Sequence, residues 1–397
     1  MPAFNPRSFT SPDRLKSISA KRLLAFFQIW DGYFRDRGLI LPTAAADNFP
    51  FDELAGILLR PDESVPEAMV DALFYVHETA SKESMEELQD RAQSEGLDVD
   101  LDEDPSPADL ALQIWLLNPE LLRRQHAETV AFNRSRFQYF AGKSVRRPPR
   151  PLDPSSDKLA LIAVRLDEWF MMRRRGGQCR VFAFPRESKT WFLIRHGEPI
   201  RREGRHQDDG SPGIAVYRPQ KHDVLIFDAD TGELAVNAGT KGEVKLYLSS
   251  VGAILFDDEA HFVPASRFTL APLLENGPAA LENDTVPEII RVRLIEIERF
   301  WGGKAKEKEV RKATDLFLAW GEDWKSRLVR GSIDRVMLKI KFDGDGNERT
   351  VALLPPGLAR YDRDADSDLI DRWLKDQGFC GPVMEDEDDD AGVLEDD

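Results

Sequence analysis

Along the first third of the chain, apolar residues recur every three or four positions between stop signals, the period of helices with one buried face. The stretch "SPDRLKSISAKRLLAFFQIWDGYFRDRG" (11–38) opens with Ser11 as N-cap and Pro12 at the first helical position, and meets Gly38 at its end. "VPEAMVDALFYVHETASKESMEELQDRAQSEG" (65–96) repeats that grammar, with Pro66 near the start and Gly96 at the stop. "SPADLALQIWLLNPELLRRQHAETVAFNRSRFQYFAG" (106–142) adds a third pair, broken at Pro119. Residues 1–142 are therefore predicted to form an α-helical domain.

The segment "KSVRRPPRPLDPSSD" (143–157), with four prolines and terminal serines, reads as a linker. Beyond it "DKLALIAVRLDEWFMMRRRGG" keeps a helical period. Then "CRVFAFP", "KTWFLIRHG", "GIAVYRP", "DVLIFDADTG" and "ELAVNAG" are short runs rich in Val, Ile, Phe and Trp, each closed by Gly or Pro. That is the signature of an antiparallel meander. "EPIRREGRHQDDGSPG" is expected as the loop between two of these strands, and "TKGEVKLYLSSVGAILF" as a return to helix. Residues 158–283 are predicted as an α+β domain.

From 284 to 383 a small α+β module is expected. "EIIRVRLIEIERFWGG" alternates as a half-exposed strand does, with Leu294, Ile295 and Ile297 interrupting the alternation and suggesting a bulge. "EVRKATDLFLAWGEDW" reads as helix, "IDRVMLKIKFDGDGNERTVALLPPG" as a hairpin and "DSDLIDRWLKDQGF" as a closing helix. The acidic tail 384–397 has no aromatic residue with which to build a core and is expected to be disordered. The whole is a multidomain α+β chain without internal repeats.

Length agrees, since 397 residues exceed what a single core usually serves. No apolar run approaches the roughly 18 residues of a membrane helix, and the first residues lack the apolar stretch of a signal peptide, so a cytoplasmic location is expected. Cys179 and Cys380 are isolated from each other and from histidines, which points to reduced core thiols rather than a disulfide or zinc site. The net charge of −17 is unevenly spread. Between Arg123 and Arg205 stand 20 Lys and Arg against 8 Asp and Glu, so this stretch carries +12 and the remainder −29. A basic centre lies between acidic flanks.

Three patterns suggest chemistry. In "LIRHGEPIRREGRHQ" Arg195, His196, Gly197, Glu198, Gly204, Arg205 and Gln207 resemble the signature of the histidine phosphatase superfamily. The resemblance implies a histidine that accepts a phosphoryl group and arginines that clamp its oxygens. The second cluster stands one position closer than in that family, arginine replaces its asparagine, and strands follow where the family has a helix. "DGDGNE" (343–348) carries the first ligands of a calcium loop, but Glu348 and Leu354 stand where that loop needs Gly and Glu, so a hairpin turn is expected. Asp228, Asp230 and Glu243 with Lys245 faintly resemble the carboxylates and lysine of a metal-dependent nuclease, an arrangement that would need Glu243 on a strand. No glycine-rich nucleotide motif occurs, and no cofactor is expected.

The strongest functional signal is the basic belt. Arg123, Arg124, Arg134, Arg136, Arg146, Arg147, Arg173, Arg174, Arg175, Arg195, Arg201, Arg202 and Arg205 interleave with Phe132, Phe137, Tyr139 and Phe140. Guanidinium forks match phosphate oxygens, and aromatic rings stack on unpaired bases. The sequence thus predicts a non-catalytic adaptor, one subunit of an assembly, that engages nucleic acid or an acidic protein surface. Phosphoryl transfer at His196, with Arg195 and Glu198, is the first alternative, and a metal-dependent nuclease the second.

Overall fold

The computed structural model describes residues 6–44, 49–100, 105–143, 152–344, 347–363 and 366–381. The chain divides into two compact units, one of residues 1–129 with 201–217 and one of residues 130–200 with 218–397. The helices in chain order are α1 (Pro12–Leu15), α2 (Ala20–Phe27), α3 (Asp31–Arg35), α4 (Phe51–Leu59), α5 (Glu67–Thr79), α6 (Lys82–Ser94), α7 (Pro107–Leu117) and α8 (Pro119–Phe132), followed by α9 (Ser156–Met172), α10 (Lys241–Phe256), α11 (Ala271–Asn276), α12 (Leu316–Trp320), α13 (Trp324–Leu328) and α14 (Ser367–Asp376). The strands are β1 (Arg136–Gly142), β2 (Arg180–Arg186), β3 (Lys189–Gly197), β4 (Arg201–His206), β5 (Pro212–Tyr217), β6 (Gln220–Asp228), β7 (Leu234–Asn237), β8 (Phe262–Pro264), β9 (Ile289–Gly302), β10 (Glu307–Lys312), β11 (Ser332–Phe342), β12 (Glu348–Leu354) and β13 (Leu358–Arg360). Mixed helix and antiparallel sheet make the fold α+β, and among the described residues no helix is long and apolar enough to cross a membrane.

The first unit is helical, as the apolar spacing requires, with Phe9, Phe26, Phe27 and Phe34 fully buried together. Its buried Asp109 accepts from the Ser19 amide at 2.8 Å and from Arg22, which ties the start of α7 to the start of α2. Ser11 holds the cap position of α1 but makes no side-chain cap bond, whereas Ser106 caps α7 by accepting from Asp109 N at 3.2 Å. The hairpin β4–β5 belongs to this unit. Its register sets Arg202 opposite Val216 and Arg205 opposite Gly213, and Arg205 pairs with Glu63 at 3.1 Å. Residues 201–206 thus form a strand in place of the expected loop.

The second unit is built on one 11-stranded sheet of order β10-β9-β11-β12-β13-β1-β7-β6-β3-β2, with β8 added on β1. It runs through both segments expected as separate modules, 158–283 and 284–383, and takes β1 from the segment expected to be helical. Read locally, "RFQYFAG" continues the helical spacing of α8. In the sheet, Phe137 and Tyr139 are buried on one face while Arg136 and Gln138 stay exposed, so long-range pairing overrides the local period. The same correction applies to "EVRK", which is the end of β10 on β9 rather than the start of a helix; helix begins there at α12. The interruptions in β9 are real register shifts against β11.

Each face of the sheet is covered over a different part. Helices α9 and α10 cover one face, burying Ile162, Leu166, Phe170, Tyr247 and Val251 against Phe140, Phe192, Leu225 and Val236. On the opposite face of β11 and β12, Val336, Leu338, Ile340, Val351 and Leu353 are buried, and α12 packs on β9. The first face is left open where β1, β13, β12 and β11 carry it on. Residues Arg335, Met337, Lys339 and Thr350 therefore remain half-exposed. The acidic tail, Arg146 and Arg147 lie outside the described residues.

Candidate functional site

Of the places in the second unit where ionisable side chains gather, two hold candidates from the sequence motif and the basic belt, one closed and one open. The closed one surrounds the sequence motif. His196 sits near the end of β3, with its side chain 1% exposed and its ring stacked on Phe170 at 4.1 Å between centroids. Strand register places Asp223 of β6 beside it, and His196 Nε2 lies 3.1 Å from Asp223 Oδ2 while Nδ1 lies 2.9 Å from the Gly197 carbonyl. Tyr247 on α10 donates its hydroxyl to Asp223 Oδ2 at 2.6 Å. Lys221 reaches between two acids, 3.2 Å from Asp223 Oδ1 and 2.7 Å from Glu243 Oε1, and Arg175 also donates to Glu243.

Glu243 is where it is because α10 begins with a capping box. Thr240 Oγ1 accepts from Glu243 N at 3.2 Å, and Glu243 Oε2 accepts from Thr240 N at 2.7 Å. Its fully buried carboxylate then has one oxygen on the helix start and the other on two cations. Burial alone would raise its pKa, but Lys221 and Arg175 outweigh that and pull it down to about 2. Burial, and after it the charge of Asp223, pushes the Tyr247 hydroxyl well above its ordinary value, so it stays a donor. Burial likewise pushes the Cys179 thiol up to about 12 and the Cys380 thiol up to about 11, which makes both poor nucleophiles.

His196, Asp223 and Glu243 offer donor atoms within 4.8 Å of one another, the spread of a small metal site. The donor set does not suit a resident divalent cation. The Lys221 ammonium and the Arg175 guanidinium already supply two positive charges to the two carboxylates, and a metal would have to displace them. The arrangement is an internal ion network that ties the ends of α9 and β3 to the starts of β6 and α10.

Linkage gives this network a pH signature. A carboxyl held near 2 in the folded chain and near its ordinary 4.5 when unfolded contributes stability that is complete above about pH 4.5 and lost as pH falls toward 2. The difference corresponds to about 3 kcal/mol. Glu243→Gln should therefore flatten the acid limb of the stability curve in this window, measured by urea unfolding at stepped pH. An unchanged acid limb would contradict the ion-pair assignment.

The other sequence candidates are dispersed. Arg195 neighbours His196 on a strand, so the two side chains point to opposite faces, and Arg195 lies 5.5 Å over the Phe182 ring, across the ladders from Arg180 and His222. Glu198 is half-buried, with its carbonyl accepting from Arg218 at 2.9 Å. The rest of the motif, Gly204, Arg205 and Gln207, falls in the first unit. Asp228 Oδ1 accepts from the amides of Asp230 and Thr231, a turn closing β6, and neither Asp228 nor Asp230 joins the donor group that holds Glu243. Lys245 is exposed on α10. Of the calcium-like sequence 343–348, residues 345 and 346 lie outside the described residues, and Glu348 is taken by Arg293 at 2.5 Å and 2.7 Å.

The belt arginines differ in their surroundings. Arg123 pairs with Asp71 and Glu120, Arg134 donates to the His222 carbonyl, and Arg175 belongs to the closed network. Arg124, Arg201 and Arg202 are exposed in the first unit. Arg173 lies 3.7 Å over the Trp169 ring, and exposed Arg174 follows it with a positive φ of 59°.

Arg136 leads to the open place. It stands directly opposite Arg360 in the antiparallel ladder of β1 and β13, and both are exposed. The two line a cleft of about 510 Å³ with Ser135, Arg335, Met337, Thr350, Ala352, Leu354, Leu358, Tyr361 and Asp362. Ala352, opposite Arg360 and Met337 in the neighbouring ladders, is the small side chain that leaves room for it. Like charges facing each other across a ladder destabilise a sheet. Neither arginine forms an ion pair among the described residues. Arg360 could not be found from sequence, because nothing near it in the chain announces its partner.

A scan of the chain against protein-family models finds no match, and a search of curated proteins finds none either. No family therefore adds to the geometry.

Proposed function

We propose that this chain is a non-catalytic binding component of a larger cytoplasmic assembly, and that it engages an anionic partner, nucleic acid first, through exposed arginines. The observation that carries the reading is the pair Arg136 and Arg360, two opposed guanidinium groups at an open cleft where Asp362 is the one lining carboxylate and neither arginine forms an ion pair among the described residues. Such a pair costs stability in the free chain and is relieved by an anion, so the energetics favour a bound partner. Arg173 and Arg174, exposed at the end of α9, are two further arginines of the same unit. The catalytic alternatives draw less support, since His196 and Glu243 are both sealed and already partnered.

Fluorescence anisotropy with labelled single-stranded and double-stranded DNA and RNA tests the reading. Binding is expected at low salt and should weaken steeply between about 50 and 200 mM, as condensed counterions are released. An acidic polypeptide such as polyglutamate, assayed alongside, distinguishes a protein partner. If neither class of polyanion binds at about 50 mM salt, the proposed function is wrong.

A further inference from the structure

Around the cleft, the sheet face is neutralised by its own acids. Arg335 is held by Glu296 at 2.5 Å and Glu298 at 2.9 Å, and Lys312 by Glu296 at 2.9 Å. Lys308 is held by Glu298 at 2.9 Å and Asp334 at 3.3 Å. Arg291, Arg293 and Lys339 gather on Glu348 at 3.6, 2.5 and 3.8 Å. A duplex or a long strand laid across this face would meet a row of cations already committed to carboxylates. Arg136 and Arg360 form no ion pair among the described residues, and their Cα atoms, as direct cross-strand partners, lie only about 5 Å apart.

Two guanidinium forks at one point suit a group with two negative charges and several acceptor oxygens better than a carboxylate. A phosphomonoester carries about −1.5 to −2 at neutral pH and three terminal oxygens, whereas an internal phosphodiester carries a single charge. The rest of the cleft is not shaped for phosphate alone. Met337, Ala352, Leu354 and Leu358 form an apolar floor, and Ser135 and Thr350 add hydroxyls. A volume of about 510 Å³ lies within the range of small-ligand pockets and exceeds what one phosphate fills. Asp362 on the wall is a single opposing charge, against two free guanidinium groups.

We propose that this cleft receives a terminal phosphate, clamped by Arg136 and Arg360, on a ligand whose attached body is about the size of one nucleoside. The shared chemistry is a nucleoside phosphomonoester, supplied either by the 5′ end of a single strand or by a free nucleotide. This rests on the proposed anion-binding function and narrows it from a polyanion to its end group.

The test uses the full chain and a short single strand labelled at its 3′ end, made with either a 5′-phosphate or a 5′-hydroxyl. The 5′-phosphate strand should bind about tenfold or more tightly than the 5′-hydroxyl strand. AMP should displace it, while adenosine and inorganic phosphate should be far weaker competitors. R136Q/R360Q, with its fold checked by thermal melting, should abolish the preference; the AMP competition needs no variant. AMP binding by calorimetry without any strand binding would support the cleft with free nucleotide as its source, and would remove the nucleic-acid reading instead. Salt-dependent binding of both strands with equal affinity and no displacement by AMP would overturn the end-group proposal while leaving polyanion binding intact. Displacement by inorganic phosphate as effective as by AMP would overturn the nucleoside body.

Discussion

Asp223→Ala is expected to lower the unfolding free energy by about 3 to 5 kcal/mol, the range for breaking a buried charged contact while its partners stay in place. One carboxylate serves three groups. It accepts the Tyr247 hydroxyl at 2.6 Å, faces His196 Nε2 at 3.1 Å and pairs with Lys221 at 3.2 Å, and its own side chain is only 2% exposed. Removing it leaves a buried phenol, a buried imidazole and an ammonium without that partner, and each unmatched polar group carries its own desolvation cost. Against a typical total of about 5 to 15 kcal/mol this is a large fraction. Urea unfolding should show a fall in midpoint with little change in slope. A loss below about 1 kcal/mol would mean the network contributes little to the fold.

The second large effect concerns affinity. Replacing Arg136 and Arg360 together by glutamate should weaken binding of a 5′-phosphorylated single strand about a hundredfold or more at low salt. Charge-assisted hydrogen bonds contribute about 1.5 to 3 kcal/mol each, so losing the clamp removes roughly 3 kcal/mol, and every 1.4 kcal/mol is tenfold in affinity. Reversal also places two carboxylates where the phosphate would sit, beside Asp362. Both positions are exposed on the sheet, so the melting temperature should change little. Anisotropy at low salt reads the first effect and a thermal melt the second. Affinity within about threefold of the unmodified chain would place the binding surface elsewhere.

Much of the fold could be read from local pattern. Apolar spacing located α2, α5, α7, α9 and α10, and the short β-branched and aromatic runs located β2, β3, β6 and β7. The turn residues around "DGDGN" located the β11–β12 hairpin. What failed were segments whose state is set by distant partners. Arg136–Gly142 has a period compatible with helix, and only pairing with β7 and β13 makes it a strand. Strand β10 is a run of charges with one valine, given its form by β9.

The site was legible in halves for the same reason. His196 and Glu243 drew notice as motif residues, but Asp223, Lys221 and Tyr247 look like ordinary strand and helix residues until β3 is registered against β6. Arg136 was visible within a basic cluster, while Arg360 lies in a segment of mixed charge, "ARYDRDAD", that gives no hint of a cleft. Conversely, Arg175 reads as surface charge in "RRRGG" and is in fact a partner of Glu243.

The most direct test of the arginine clamp is the slope of log affinity against log salt for a 5′-phosphorylated single strand, measured for the unmodified chain and for R136A/R360A. Each neutralised phosphate of a single strand contributes about 0.7 to that slope. If the opposed arginines clamp one phosphate, the variant should bind more weakly, with a slope shallower by about 0.7. Equal slopes and equal affinities would contradict the clamp.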